Sequence, residues 1–461
     1  MIQEVFGSIC LVWYMVIVTV ATLGFLSIRS NFAVPLAPKQ TPYDVEPVTI
    51  IRPIKGVDPE LTTCLELSFL QKYPVERLQI LFCVADRNDP AIPILQQLVQ
   101  KYPHIDAQIL ISEPDTDHYG PNPKVNNLAK GFLAAKYDLL WIMDLNVWAL
   151  ADILLSSVQT MNENLNCNEP VKDGGRRVKL VHHVPLALSL DDLRYGKGSL
   201  LDEMFLFTSH LKFYVSLNNA SIAPCVNGKS NMYRKSDLDY AVSQIPVKKS
   251  PFFLESSVVD DAARISFKGP GHSIEFFAKY IGEDNMIAIA LWEYCYGRTA
   301  LTGDVVIQPL EAQDQQNSVF EYCNRRVRWL RVRKYMVLAA TLVEPTTESI
   351  ICGLMGTFGM CTTFWGTTFS MKLFLLHLTC WLIADYDQYY RWIENINRTG
   401  CKPHWLQNIA PNERSKSKWL QIWLMREIFA LPIWVAAMCG HTINWRGKPF
   451  MIKKDLSASE L

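Results

Sequence analysis

The sequence predicts an α/β domain with a mainly parallel sheet, carried between apolar N-terminal and C-terminal transmembrane helices. Strand-like and helix-like runs alternate from about residue 45 to 340, a charge-free run opens the chain, and further apolar runs close it. Alternating strands and helices build a parallel sheet covered on both faces, with the ligand site at the carboxyl ends of the strands. The expected organisation is therefore an anchor and linker over 1–44, a soluble domain over 45–340, and membrane segments with a basic loop and tail over 341–461.

From Gly7 to Ile28 the chain has twenty-two residues without a charge, enough for a helix to cross roughly 30 Å of hydrocarbon. A signal peptide fits less well, because Glu4 precedes the run and its length exceeds an h-region of about 7–15 residues. Arg29 and Lys39 follow, which places the next domain in the cytosol by the positive-inside rule.

Within the soluble region, Val48 to Ile54 is a β-branched strand, and Asp58-Pro59 offers an N-cap and first-turn proline for a helix to about Leu70. Leu78 to Ala85 is a strand ending at Asp86, and Ile94, Leu95, Leu98 and Val99 share one helical face. Ala107 to Ile111 is strand, Asn126 to Ala135 helix, and Leu139 to Met143 a strand ending at Asp144. The polar stretch 162–179 and the proline-containing stretch 244–271 read as surface insertions. In the C-terminal third, Ser349 to Met371 can span a membrane, while Leu373 to Ala384 is either re-entrant or part of a tilted helix around Lys372. The segment Trp419 to Gly440 is interrupted by Arg426 and Glu427, which are either the interfacial end of a span or part of a site.

Lys+Arg and Asp+Glu are 45 each, so no global charge argues for nucleic acid as a partner. The twelve cysteines form no CxxC pair and no Cys/His arrangement at zinc spacing, which fits a reduced, cytosol-facing region.

Carboxylates at strand ends are commonly turn or cap residues when taken singly. Here they come in an order: Asp86 after Leu81-Phe82-Cys83-Val84, Asp144 after Leu140-Trp141-Ile142-Met143, Glu283-Asp284 before Asn285-Met286, then Arg325-Arg326-Val327-Arg328-Trp329. This series resembles the Asp, Asp, Asp and (Q/R)xxRW elements of the inverting GT-A fold glycosyltransferases of family 2 type, which include cellulose and hyaluronan synthases. The ceramide glucosyltransferase family is a closer match. It rests on Lys55-Gly56-Val57-Asp58-Pro59, Asp89-Pro90-Ala91-Ile92, Asn122-Pro123-Lys124-Val125-Asn126-Asn127-Leu128, Lys136-Tyr137-Asp138-Leu139, Thr208-Ser209-His210, the Arg426-Glu427 pair and Ile443-Asn444-Trp445-Arg446.

The resemblance implies a GT-A-like nucleotide-sugar-binding domain that moves glucose from UDP-glucose to the primary hydroxyl of ceramide with inversion. It also implies a multi-pass protein of the Golgi or endoplasmic reticulum membrane, with membrane lipids around it, and sets no oligomeric state. By the same resemblance Asp86 would bind the uracil and ribose end, Asp144 would meet the diphosphate through a divalent cation (Mg or Mn), and Asp284 would be the general base. Lys124 would sit near the donor; Arg325, Arg328 and Trp329 would bind the diphosphate and shape the acceptor opening. Where many relatives have Asp-x-Asp, this chain reads Asp144-Leu145-Asn146, and magnesium can be held by one carboxylate with water and phosphate completing its shell.

His210 reads from its residues as either a buried, satisfied histidine or an active-site group, and the resemblance favours the second. His182-His183 has no partner ligand at metal spacing and reads as structural. Asn219-Ala220-Ser221 and Asn397-Arg398-Thr399 are glycosylation sequons that a cytosolic placement would leave unused. Six of the ten residues from Arg325 to Lys334 are basic and none is acidic, fitting both an interfacial helix at anionic headgroups and a diphosphate contact. Two rivals remain at this level: a processive polysaccharide synthase, which needs more spans for a channel, and a non-catalytic membrane protein binding lipid or nucleotide.

Overall fold

The computed structural model describes residues 2–32, 45–112, 117–163, 175–190, 197–311, 318–398, 403–407, 415–445, 448–453 and 455–461. Lys39, residues 164–174 of the first polar stretch, Thr399 and Arg446 lie outside them. The chain forms two compact units, one of residues 36–186, 218–309 and 442–461, the other of 1–35, 187–217 and 310–441.

The first unit is built on an eight-stranded sheet: β1 (Val48–Ile54), β2 (Leu78–Val84), β3 (Asp106–Ile111), β4 (Leu139–Met143), β5 (Trp148–Ala149), β6 (Arg177–Ser189), β7 (Ser230–Arg234) and β8 (Gly297–Leu310), in the spatial order β3-β2-β1-β4-β7-β6-β8-β5. From β3 to β4 the strands are parallel, whereas β7 runs antiparallel to both β4 and β6. Every residue of β1, β2 and β4 is buried, as expected for central strands covered on both faces. The edge strand β3 is half-exposed and carries Asp106 and Gln108, polar groups that blunt an open edge.

The helix Pro123–Ala134 lies on β1 and β2, and at Gly131 an added Cβ would fall 2.7 Å from Cys83 Sγ and 2.9 Å from Ile51 Cγ2. Only glycine allows this approach of helix to sheet. The buried Asn127 on the same helix donates to the carbonyls of Ile54 and Cys83 at 3.0 and 2.7 Å, holding the ends of β1 and β2 under the helix. Arg52, buried on β1, donates to the carbonyls of Cys64, Leu145 and Val147 at 3.1 to 3.2 Å. Burial pushes its guanidinium down to about 10, against the nearby Cys64 and Asp144, and the carbonyl dipoles satisfy the charge that remains. The loop after β4 is thereby fixed in place.

One expectation is corrected here, and two stretches read as insertions contain regular structure. The helix after β1 is short, Leu61–Glu66, and Asp58 does not cap it; the Asp58 carboxylate instead accepts from Asn146 Nδ2 at 2.7 Å. The stretch 244–271 is not simply surface loop, because Ser256–Ser266 is a helix that buries Val258, Ala262 and Ile265. Residues 177–179 of the first polar stretch open β6.

The second unit is helical. Ile2–Asn31 and Lys416–Met438 are long and apolar enough to cross a membrane. The charge-free run from Ser349 does not stay helical to Met371: the helix ends at Phe364, with Gly366 at φ +63° in the following turn. Its sixteen residues reach about 24 Å at 1.5 Å per residue, short of a full span. It packs along Ile2–Asn31 through small residues, and a Cβ on Gly359 would stand 2.6 Å from the backbone nitrogen of Leu11. Leu373 to Ala384 lies inside a continuous helix, Met371–Arg398. Among the described residues the cysteines are free.

Candidate active site

In the sheet-containing unit, β4 delivers Asp144 at its carboxyl end, and the Asp144 amide donates to the carbonyl of Lys229 at 3.0 Å as β7 begins beside it. The Asp144 carboxylate is held by two ammonium groups, Lys124 Nζ at 3.0 Å on Oδ1 and Lys229 Nζ at 3.2 Å on Oδ2. Lys124 stands in the first turn of Pro123–Ala134. That helix starts where it does because Asn122 accepts from the amides of Lys124 and Val125 and is followed by a proline. Lys124 Nζ reaches Glu283 Oε1 at 3.1 Å and donates to the Gly228 carbonyl at 2.9 Å.

Glu283 and Asp284 open the helix Glu283–Tyr294, where the positive end of the helix dipole favours carboxylates. Asn122 Nδ2 donates to Glu283 Oε2 at 2.9 Å, so one asparagine caps one helix and orients the first acid of another. The loop over the site is pinned by Asn285, which accepts from the Val226 amide at 3.3 Å and donates to the Val226 carbonyl at 3.2 Å. Gly228 passes so close that a Cβ there would lie 3.2 Å from Lys124 Nζ and 3.3 Å from Asp284 Oδ2.

The electrostatics separate the two aspartates. Burial alone would raise Asp144, but the Lys124 and Lys229 ammonium groups hold its carboxyl down, to about 2. For Asp284, burial and then the neighbouring Glu283 carboxylate push the carboxyl up to about 7, with Lys124 opposing them. Burial opposes the charge on Lys124 too, yet the carboxylates of Asp144, Glu283 and Asp284 hold its ammonium above the ordinary range. One carboxylate thus stays ionised at neutral pH, while the other sits where it can take or give a proton, the divergence expected of paired acids with different tasks.

Of the residues singled out in the sequence, Lys124, Asp144 and Asp284 come together here. Asp86 ends β2 in an exposed turn, where it accepts from the Asn88 amide at 2.9 Å. His210, Arg325, Arg328 and Trp329 belong to the helical unit. There Phe205 lies 5.4 Å from the His210 ring and 6.5 Å from Trp329, with the Arg326 guanidinium 3.5 Å from its own ring centre. His210 also stacks on Tyr214 at 4.9 Å, and burial, with Arg326 and Arg333 near, lowers it to about 3, so it is a neutral imidazole.

The basic run from Arg325 is not a row of solvated charges. Arg325 pairs with Asp202, Arg333 with Glu344 at 2.8 Å, and Arg331 and Lys334 donate to the last carbonyls of Lys416–Met438, where cations suit the dipole. Arg426 and Glu427 lie buried within Lys416–Met438 and pair with one another; Arg426 also meets Glu348 at 2.6 Å. His182 and His183 are core residues, His183 bonded to Ser157 at 2.9 Å and Ser230 at 2.8 Å.

Sequence reasoning missed Lys229 and the partnership of Asn122 with Glu283. The signal for Lys229 was Asn227-Gly228, a turn dipeptide just before a buried strand. That this strand runs antiparallel beside β4, which sets Lys229 against Asp144, is a long-range pairing that no local pattern shows.

A family model described as glycosyl transferase family 21 matches residues 11–241 and 272–458. The chain belongs to glycosyl transferase family 21. Its relatives include the "Ceramide glucosyltransferase" of Candida albicans, 50% identical with 99% of this chain and 98% of that protein covered. That of Komagataella phaffii is 46% identical over 99% and 92%. Among solved structures, the mannosyltransferase PcManGT from Pyrobaculum calidifontis covers 93% of this chain and 99% of its own at 13% identity, with a TM-score of 0.42. As a member of the family the chain is a glycosyltransferase with a GT-A-like α/β domain and apolar helices at both ends of the chain.

Proposed function

We propose that this protein transfers glucose from UDP-glucose to the primary hydroxyl of ceramide with inversion, at the cytosolic face of a Golgi or endoplasmic reticulum membrane. The acceptor follows from the two ceramide glucosyltransferase relatives covered nearly end to end. The observation that carries the chemistry is Asp284, raised to about 7 and bracketed by Glu283 and Lys124, which suits a general base at neutral pH. In this reading Asp284 takes the hydroxyl proton as the ceramide oxygen bonds to the anomeric carbon. The bond from that carbon to the UDP oxygen breaks on the opposite side, giving the β-glucoside. Asp86 would meet the uridine; for Arg325, Arg328, Trp329 and His210, which belong to the helical unit, contacts to the diphosphate and the acceptor are what the family resemblance implies.

Among the described residues no group of three His, Cys, Asp or Glu is placed to hold a metal ion. Asp144 and Asn146 nevertheless present hard oxygens on either side of one ammonium, Lys229 Nζ, 3.2 Å from each. That position favours a cation, and Mg or Mn needs only one or two protein oxygens when phosphate completes its shell. Asp144 and Asn146 are thus the residues that would hold it, and when bound it would neutralise charge on the departing diphosphate.

The test is transfer by sealed vesicles carrying the protein and ceramide, given labelled UDP-glucose in the outer medium. The reading expects labelled β-glucosylceramide from vesicles whose cytosolic face is outward. No product even after rupture, or an α-linked product, would overturn the chemistry; product only after rupture would overturn the orientation.

A further inference from the structure

Lys124 and Lys229 both touch Asp144, but they are not equivalent. An ammonium has three donors. Those of Lys124 are taken by Asp144 Oδ1 at 3.0 Å, Glu283 Oε1 at 3.1 Å and the Gly228 carbonyl at 2.9 Å. Lys229 meets two acceptors, Asp144 Oδ2 and Asn146 Oδ1, each at 3.2 Å, and its side chain is 23% exposed. Among the described residues no third acceptor meets it, so its third donor is open to a ligand. Asn146 is in turn held by Asp58, to which its Nδ2 donates at 2.7 Å, so the oxygen facing Lys229 is fixed in direction. The chain Asp58, Asn146, Lys229, Asp144 thus places one positive charge between the two oxygens of the Asp144-Leu145-Asn146 sequence, where a second carboxylate in place of Asn146 would instead call for a divalent ion.

We propose that Lys229 is the resident cation of this site: its ammonium binds the diphosphate of the nucleotide donor directly, and a divalent cation reaches Asp144 and Asn146 only by displacing it. The inference rests on the nucleotide-sugar reading given above. It deepens that reading by assigning a binding residue on the loop before β7. The two lysines divide the work, Lys124 as a fixed tie between Asp144 and Glu283 and Lys229 as the mobile charge. Two consequences follow from one position. UDP should bind without a divalent ion, and the ammonium should compete with Mn²⁺ when UDP is absent.

The purified full chain can be titrated with UDP by calorimetry in excess EDTA and in Mn²⁺, and with Mn²⁺ alone by electron paramagnetic resonance, beside Lys229→Met and Lys229→Arg. Wild type should bind UDP in EDTA within about tenfold of its affinity in Mn²⁺, one decade being about 1.4 kcal/mol. Lys229→Met should lose at least about tenfold in EDTA while binding Mn²⁺ alone more tightly, and Lys229→Arg should keep binding in EDTA. UDP binding by wild type that vanishes in EDTA and is restored by Mn²⁺ would overturn the proposal, even if Lys229→Met fails to fold. Unchanged or weaker Mn²⁺ binding by a folded Lys229→Met would do the same. Failure of wild type to bind UDP or UDP-glucose under either condition would instead overturn the donor reading itself.

Discussion

Two groups of charged side chains, one in each unit, have nearly the same composition and opposite circumstances. In the sheet-containing unit, Lys124, Lys229, Asp144, Glu283 and Asp284 gather at strand and helix ends, and Lys124, Lys229 and Asp144 keep 18 to 23% of their side-chain surface. In the helical unit, Lys212, Arg426, Glu348, Asp385 and Glu427 lie between helices at 0 to 9%. Lys212 meets Asp385 at 2.6 Å, Trp423 donates to the same carboxylate at 2.8 Å, and Ser209 donates to Glu348 at 3.0 Å. The first group is open, with a donor and a titrating acid left for a ligand. The second is closed, each charge facing an opposite one, as apolar surroundings require of ionised groups. Charge that reaches solvent is available for chemistry; charge sealed among helices ties those helices together.

The largest effect that could break this distinction is at the closed group. Arg426→Met leaves Glu348 and Glu427 without the guanidinium that binds both. Removing one member of a buried ion pair costs about 3–5 kcal/mol. Thermal unfolding in detergent should show that loss in the helical unit. A variant with unchanged unfolding would show that the buried charges do not hold the helices.

A smaller effect sharpens the picture of the open group. With Asp284 held at about 7 against an ordinary 3.8, its carboxylate is the disfavoured form in the fold. Its stabilising contribution is complete below the ordinary value and is lost as pH rises through about 7, while the active, basic form appears over the same interval. The transfer kcat/KM, which reports the free enzyme, should therefore fall about tenfold per unit below pH 7 and level off above it. A profile flat from about pH 5 to 8 would detach Asp284 from the proton transfer.

What the sequence made legible follows the range of the interaction that decides it. β4 is a continuous apolar run and β1 and β2 are mainly apolar, broken by Thr49, Arg52 and Gln79, and Asp86 and Asp144 follow the carboxyl ends of β2 and β4 in both reading and structure, because burial on two faces writes itself into consecutive residues. Asp284 was found through the order of motifs. The span expected to reach Met371 ends early because hydropathy does not register the turn at Gly366. Asp58 resembled a helix cap because Asp-Pro is a good local start, yet its partner Asn146 comes from a different loop. Lys229 stayed hidden for the same reason: its role depends on β7 lying antiparallel to β4. The partners of the Arg325 to Lys334 run were not legible, because Asp202 and the carbonyls near residue 437 lie more than a hundred residues away in the chain.

The central claim is that the open group acts in chemistry and not in holding the fold, and Asp284→Asn tests it most directly. Asparagine keeps the shape but cannot accept a proton at neutral pH, and it removes a carboxylate that burial and Glu283 disfavour. The account predicts an unfolding temperature at about pH 8 no lower than that of the parent and UDP affinity little changed. Turnover at saturating substrate should fall by about 10²–10⁴-fold, the usual contribution of a positioned base. A folded Asp284→Asn protein that still transfers sugar within about tenfold of the parent rate, or one that loses stability and UDP binding together with activity, would contradict it.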